Sequence, residues 1–267
     1  MEISQLIGYI LAVFVGMTLG MLGSGGSILS VPILVYVMGI EPTLATAYSL
    51  FVIGTTSLVG GIHKAKQKLV DFYKVILFGI PAIISVFVTR KILVPRIPEI
   101  IFSTANFTLT KPILIMVFFA LVMIFASVRM IKPLKEKIVV EDVQLNYFKI
   151  ALMGILIGLI SGFVGAGGGF LIVPTLLFFA KTPMKMAVGT SLFIVSAQSL
   201  IGFTGDIMSN QIIDWKLLEY FTLASIIGIF IGNSIAKKAD DEKLKTGFGW
   251  FVLAMGIYII IRELFLS

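Results

Sequence analysis

The chain has 267 residues, of which 58% are hydrophobic and only 13% are charged, and its mean hydropathy is +1.07. Soluble domains carry about 25% charged residues, so the composition excludes a water-soluble globule and predicts a polytopic α-helical membrane protein. The sequence has no cysteine, which excludes disulfides and thiol chemistry. The net charge of +7 is explained by the lysine excess of cytoplasmic loops rather than by binding to nucleic acid.

Glycines interrupt the first apolar run of the chain. A first limb at residues 6–22 ends at Gly23, Gly25 and Gly26, and a second limb at residues 28–38 carries Pro32. Eleven residues make about 16 Å of helix, roughly half the thickness of a membrane. The pattern predicts a helix broken within the bilayer, either as a re-entrant hairpin or as two oblique spans, and the short second limb favours the hairpin.

Longer apolar runs complete this unit, and the whole order of elements then recurs. Each of the longer runs is long enough for a membrane-spanning helix. In the first half they lie at residues 43–62, 75–94 and 112–131. In the second half the two limbs lie at residues 150–164 and 170–180, followed by long runs at 186–204, 216–236 and 246–264.

The two halves are copies of one unit. Residues 12–61 align without a gap with residues 154–203, and the identical positions include Gly23 with Gly165 and Pro32 with Pro174. Self-similarity of this kind indicates a tandem duplication. We therefore predict a first membrane repeat at residues 1–131, a cytoplasmic linker at 132–149 and a second membrane repeat at 150–267.

The positions of the lysines predict how the repeats are related. In the first repeat a lysine cluster follows the first long helix, whereas in the second repeat the cluster follows the second long helix. If the repeats are inverted, both clusters and the linker lie on one face with most of the 21 Lys and Arg residues, as the positive-inside rule requires. The sequence thus predicts an inner (cytoplasmic) membrane protein with both termini outside. The predicted fold is all-α, with two inverted-topology repeats, each a broken or re-entrant hairpin plus three transmembrane helices.

The glycine breaks are candidate anion-binding sites. A helix that begins inside a membrane presents unpaired N–H groups and about half a positive charge, and inverted-repeat transporters use such ends near the bilayer midplane. The expected substrate-binding residues of the two breaks are Ser24, Gly25, Gly26, Ser27, Gly167, Gly168 and Gly169. The helix break itself is assigned to Gly23, Pro32, Gly165 and Pro174. A purely structural hairpin is the alternative.

Side chains on the next helix complete the predicted site. Ser49 and Ser191 are the expected ligands because they occupy equivalent repeat positions, and Gln198 either binds substrate or forms a cross-helix hydrogen bond. No Lys, Arg or His lies in the middle of an apolar run, so Arg90 is interpreted as a residue that extends to the membrane interface. Asp206 is likewise placed near a helix end. We expect no metal and no other cofactor.

The duplicated motif resembles a known family. Each half has a glycine cluster (GSGG, GAGGG), then Val-Pro, then an A-x-x-x-S-L-F helix, and the chain resembles the sulfite exporter TauE/SafE family of four-toggle permeases over both halves. The resemblance implies transport of a small sulfur-containing anion, such as sulfite, thiosulfate, sulfoacetate or another organosulfonate. Ser24 and Ser27 stand where the second half has Ala166 and Gly169, so the half-sites are unequal and the substrate stays open.

The expected function is secondary transport by alternating access, with lipid bilayer and small anion as partners and a proton or co-ion as possible coupling partner. An anion channel with the same half-helix site is the alternative. The phosphate-binding sequence of an ATPase is not present. With one His, no Cys and no central acid, the sequence gives little support to an intramembrane enzyme.

Overall fold

The structure is a computed structural model that describes residues 3–104, 107–131, 147–178, 180, 182–208, 213–236 and 241–265. Most of the predicted linker, residues 132–146, lies outside the described residues.

The first repeat begins with a broken helix. Helix α1 (Ile3–Leu22) is followed by a 3₁₀ turn (Gly23–Leu29), the short α2 (Ser30–Pro32) and a π-helical turn (Ile33–Val37). The remaining elements of this repeat are α3 (Pro42–Lys66), α4 (Phe72–Val88), a π-helical turn (Thr89–Leu93), α5 (Val94–Arg96), β1 (Ile100–Thr104), β2 (Phe107–Thr110) and α6 (Lys111–Ile131). The two strands form an antiparallel hairpin that the sequence analysis did not predict.

The second repeat has the same order of helices. Its elements are α7 (Tyr147–Val164), α8 (Gly169–Phe178), α9 (Met184–Ile207), α10 (Trp215–Ala236) and α11 (Asp241–Phe265). The long helices begin at recognisable caps: Asp71 accepts a hydrogen bond from the Lys74 amide at 3.2 Å, and Asp214 accepts one from the Leu217 amide at 3.1 Å. Such caps satisfy the free amides of a first helical turn.

The predicted all-α polytopic class is confirmed. Within the described residues, seven helices are long and apolar enough to cross a membrane. Large apolar side chains cover their outer faces, for example Ile10, Ile76, Phe125 and Ile227, each of which is more than half exposed. An apolar outer surface of this extent matches a lipid environment rather than water.

Glycines at four-residue spacing bring helices of different repeats together. Helix α1 packs along α10, and α7 packs along α4. A Cβ on Gly158 would lie 2.9 Å from the Cα of Ala82, and one on Gly20 would lie 2.7 Å from the amide nitrogen of Asn233. These glycines therefore permit close backbone contact, which is the packing role that small residues have in membrane helices.

The central pair of helices, α3 and α9, runs antiparallel. Gly54 faces Leu200, Gly61 faces Phe193, and the rings of Phe51 and Phe203 are 5.1 Å apart. As residue numbers rise along α3, the residue numbers of its contacts on α9 fall. These two helices occupy equivalent places in the duplication, so this corresponding pair points in opposite directions.

The broken helix of the first repeat folds back on itself. Gly23 has a φ of +69°, a conformation that favours glycine, and the chain then reverses direction. Gly26 lies against Thr18, and the side chain of Met38 lies against Gly8. The two limbs therefore form an antiparallel hairpin whose first and last residues lie at the same end of the molecule.

The second repeat also reverses direction at its glycine cluster, where Gly168 lies against Ser161 of the first limb. Gly165, Gly167 and Gly168 have φ values of +74°, +66° and +61°, so each occupies a region that a side chain would strain. The returning helix α8 has ten residues. The second returning limb begins one residue earlier than predicted, at Gly169, because the last glycine of its cluster already belongs to the helix that follows. In the first repeat the 3₁₀ turn that begins at Gly23 includes the whole glycine cluster.

Candidate functional site

The central helices α3 and α9 define two ends of the molecule. The lysine end is the end at which α3 finishes and α9 begins, and it carries Lys64 and Lys185. The ion-pair end is the end at which α3 begins and α9 finishes, and it carries Thr46 and Asp206.

The glycine tips of the two hairpins cross between α3 and α9. The hydroxyl of Ser24 donates a hydrogen bond to the carbonyl oxygen of Gly169 at 2.9 Å. A Cβ on Gly167 would lie 2.9 Å from Ser199 Oγ and 3.0 Å from the Ile53 side chain. Ile53 and Ser199 lie in the interiors of α3 and α9, so the crossing point is at intermediate depth between the two ends.

Buried hydroxyls lie in the first tip and along the two central helices. Several buried side-chain oxygens have no hydrogen-bond partner among the described residues: Ser27, Ser49, Thr56, Ser57 and Ser199, with Gln198 Oε1. Buried polar groups are normally hydrogen-bonded. Ser57 and Ser199 are equivalent in the duplication, as are Thr56 and Gln198. The interior of this apolar protein thus holds neutral hydrogen-bonding groups at equivalent positions of both repeats.

The predicted side-chain ligands have unequal surroundings. Ser49 is fully buried, and its hydroxyl has no partner within the ranges that the structure describes, whereas Ser191 donates to the carbonyl of Val188 within its own helix at 2.8 Å. Gln198 donates to the carbonyl of Gly167 and, at 3.3 Å, to Ser161 Oγ. Gln198 therefore attaches the second tip to α9, which is the cross-helix role that the sequence analysis kept as an alternative.

The remaining predicted residues line the hairpins themselves. Gly168 lies against Ser161 of the preceding limb, and Gly169 lies against the backbone of Ser24. Pro32 is buried at the end of α2, and Pro174 lies within α8. Both prolines lack the N–H that would otherwise continue the helical hydrogen bonds.

The expectation that Arg90 extends to the membrane interface is wrong. Arg90 is only 1% exposed, and its Nη1 lies 3.0 Å from Thr46 Oγ1 and 3.4 Å from Asp206 Oδ1. A Cβ on Gly165 would lie 2.6 Å from Arg90 Nη2. The guanidinium therefore points inward, to the tip of the second hairpin, because a buried charge requires a partner of opposite sign.

A sequence signal for this burial exists. Ala82, Val86 and Arg90 follow each other at intervals of four, so they share one helical face, and both apolar members of this face are fully buried. The arginine thus continues a buried stripe on α4 and the π-helical turn after it. Its carboxylate partner, Asp206, is buried as well, with 3% exposed, although it lies near the end of α9 as predicted.

The fold and the polar crossing together define a polytopic α-helical membrane protein with a hydrogen-bonding interior. The model of the family described as sulfite exporter TauE/SafE matches residues 9–259, and the chain belongs to this family. The family is one of membrane transporters, as the duplicated glycine motif predicted.

Curated relatives agree with this assignment. A probable membrane transporter protein of Xylella fastidiosa (strain 9a5c) is 30% identical over 257 residues, which cover 93% of this chain and 92% of the relative. The probable membrane transporter protein YunE of Bacillus subtilis (strain 168) is 26% identical and covers 96% of both chains. A probable membrane transporter protein of Haemophilus influenzae is 27% identical over 92% of this chain and 94% of the relative. No solved structure matches the chain.

Proposed function

We propose that the protein is a secondary transporter that moves a small sulfur-containing anion, such as sulfite, thiosulfate or an organosulfonate, across the cytoplasmic membrane by alternating access. The observation that carries this proposal is the crossing of the two glycine tips between α3 and α9, among buried hydroxyls of both repeats. A small oxyanion accepts hydrogen bonds on several oxygens, and backbone amides with hydroxyls supply such donors without a fixed countercharge.

The proposed site combines the predicted tips with hydroxyls that the structure adds. The tips contribute residues 24–27 and 167–169, and Ser49, Ser191 and Gln198 remain the neighbouring side chains. We add Ser57 and Ser199 to this site because Ser199 lies against Gly167 and both hydroxyls are buried without a partner in the described part of the chain. A site of neutral donors suits a carrier, since it holds an anion without binding it so tightly that release becomes slow.

The two ends of the molecule differ in a way that fits alternating access. At the ion-pair end, Arg90 and Asp206 close the space beside the Gly165 tip, with their side chains 0% and 4% exposed. At the lysine end a cavity of about 350 Å³ opens beside residues 20–22. This difference between the two ends supports the proposal of a carrier that opens to one side at a time.

Transport is tested with the purified protein in proteoliposomes. We expect saturable uptake of labelled thiosulfate or sulfite that is accelerated by unlabelled anion on the opposite side. The double variant Ser57→Ala/Ser199→Ala is expected to raise the KM about tenfold or more, because each lost hydrogen bond contributes about 1 kcal/mol and 1.4 kcal/mol corresponds to a factor of ten.

Ser234→Ala is the matched control for this measurement. Ser234 is exposed on α10 and its hydroxyl donates to the carbonyl of Phe230 in its own helix, so the KM of this variant is expected to stay at the wild-type value. Ohmic single-channel currents, or flux without acceleration by the opposing anion, would contradict a carrier and favour an anion channel.

The proposed orientation places the linker and the lysine end in the cytoplasm, with both termini outside. It is supported by the antiparallel course of α3 and α9 and by the positive-inside distribution of lysines. Epitope tags inserted at Glu136 and after Met208 are expected to be accessible from opposite sides of the membrane in intact cells. Accessibility of both tags from one side would contradict inverted repeats.

A further inference from the structure

The duplication gives the two ends of the molecule equivalent positions. Helices α3 and α9 align at an offset of 142 residues, which pairs Thr46 with Val188 and Lys64 with Asp206. Helices α4 and α10 align at an offset that is one residue larger, because Asp71 and Asp214 both cap the first turn of these helices. This alignment pairs Arg90 with Asn233.

Contacts of the structure agree with this alignment. Gly158 lies against Ala82, and its equivalent Gly16 lies against Ser225. The amide of Asp71 donates to Thr190 Oγ1 at 3.0 Å, and the amide of Asp214 donates to the hydroxyl of Tyr48, the residue equivalent to Thr190, at 2.6 Å. The same packing is therefore built twice, once at each end.

Different chemistry occupies the equivalent positions. The tip at Gly165 lies beside Thr46 and Arg90, and Asp206 neutralises the guanidinium. The tip at Gly23 lies beside Val188, where a Cβ would be 2.8 Å from the valine side chain. There, Asn233 takes the place of the arginine and Lys64 takes the place of the carboxylate. The lysine end thus has a basic group where the other end has an acidic one.

The residues that differ from their equivalents at the ion-pair end line a cavity at the lysine end. Lys64, Gln67, Lys185, Val188 and Asn233 line it, together with residues 20–22. Among the described residues of its lining there are two lysines and no carboxylate. Its volume of about 350 Å³ equals the liquid volume of about twelve water molecules, which accommodates a small oxyanion with part of its hydration.

Asn233 supplies a buried hydrogen-bond donor on this wall. Asn233 is 4% exposed, and neither its Oδ1 nor its Nδ2 has a partner among the described residues. A buried amide without a partner is costly, and an anion in the cavity would accept from Nδ2 while the lysines supply positive potential. We propose that this cavity is a binding station for small oxyanions, held by Asn233 Nδ2 and attracted by Lys64 and Lys185, through which the substrate reaches the crossing of the tips.

This inference rests on the proposed transport of anions and adds a second station to it. The absence of cysteine from the sequence provides a direct test, because a single introduced cysteine is the only thiol. Val188→Cys places that thiol on the cavity wall. The purified full-length variant is treated with an anionic and a cationic methanethiosulfonate reagent, with rates normalised to free cysteine, and with sulfate or methanesulfonate as non-reactive protecting anions.

The expected result has three parts. The anionic reagent reacts about tenfold faster than the cationic one, since a positive cleft concentrates anions, and Lys64→Gln/Lys185→Gln removes this preference. Sulfate slows the reaction. Asn233→Leu, or the isosteric Asn233→Asp, raises the half-protecting sulfate concentration at least fivefold while the thiol still reacts. Thr46→Cys, the equivalent position beneath the ion pair, is the matched control and stays unreactive.

Failure of this inference is distinguishable from failure of the proposed function. Equal reactivity with both reagents and no protection by sulfate, in a protein that still transports sulfur anions, would overturn the binding station alone. Protection by sulfate in a protein that transports none of the tested sulfur anions would overturn the proposed function and support the station as an anion site.

Discussion

Gly169→Ala is expected to abolish transport. The added Cβ would overlap the backbone carbonyl and the Cβ of Ser24, and neither tip can yield without separating the crossing that the proposed site requires. Overpacking of this kind costs about 3 kcal/mol, so we expect at least a 100-fold fall in the initial rate of anion exchange. The rate is measured in proteoliposomes that contain equal amounts of each protein.

Gly247→Ala is the matched control, because a Cβ on Gly247 meets no atom within 4 Å. Its exchange rate is expected to equal that of the wild type. Ser24→Ala is a milder second variant, which removes only the hydrogen bond to Gly169 and is expected to lower the rate without loss of folded protein. Wild-type exchange by Gly169→Ala would show that the tips need not touch for transport.

Arg90→Met is expected to destabilise the protein strongly. It leaves the carboxylate of Asp206 buried at 3% exposure without its cation, and loss of one partner of a buried ion pair costs about 3–5 kcal/mol. For a chain of this length that corresponds to a fall in Tm of roughly 10 °C. The double variant Arg90→Met/Asp206→Asn is expected to recover most of this loss, because no uncompensated charge remains.

A second ion pair of the same length is the control. Lys111 and Glu99 are also separated by 3.4 Å, but the Glu99 side chain is 78% exposed, so Glu99→Gln is expected to change the unfolding free energy by less than about 1 kcal/mol. The measurement is thermal unfolding of the purified variants in one detergent. Equal stability of Arg90→Met and the wild type, or additive losses in the double variant, would contradict the assigned pairing.

The elements were predictable because each depends on nearby residues. Apolar length located the long helices, and the recurrence of Gly23 as Gly165 revealed the duplication, since a break within a membrane helix is not expected to recur by chance. The family followed from the same motif. The strand pair at residues 100–110 was missed because its hydrogen bonds join two short segments with weak alternation.

The details of the site depend on tertiary contacts that the sequence does not show directly. Equivalence in the duplication favours Ser49 and Ser191 as ligands. The position of a serine along α9 decides whether it contacts the second glycine tip, and it is Ser199 that lies against Gly167. Arg90 was misplaced because nearness to a helix end does not reveal which face is buried. Its partner is 116 residues away along the chain, and a π-helical turn carries the arginine itself.

The packing of each repeat on helices of the other affects the order in which the chain can fold during biosynthesis. Each hairpin packs its first limb on a helix of the other repeat, α1 on α10 and α7 on α4. A nascent chain that has inserted only residues 1–131 therefore has its Gly16 face and Arg90 in the membrane before α10 and Asp206 have been synthesised. We therefore expect the first half of the chain to complete its packing only after the second half has left the ribosome.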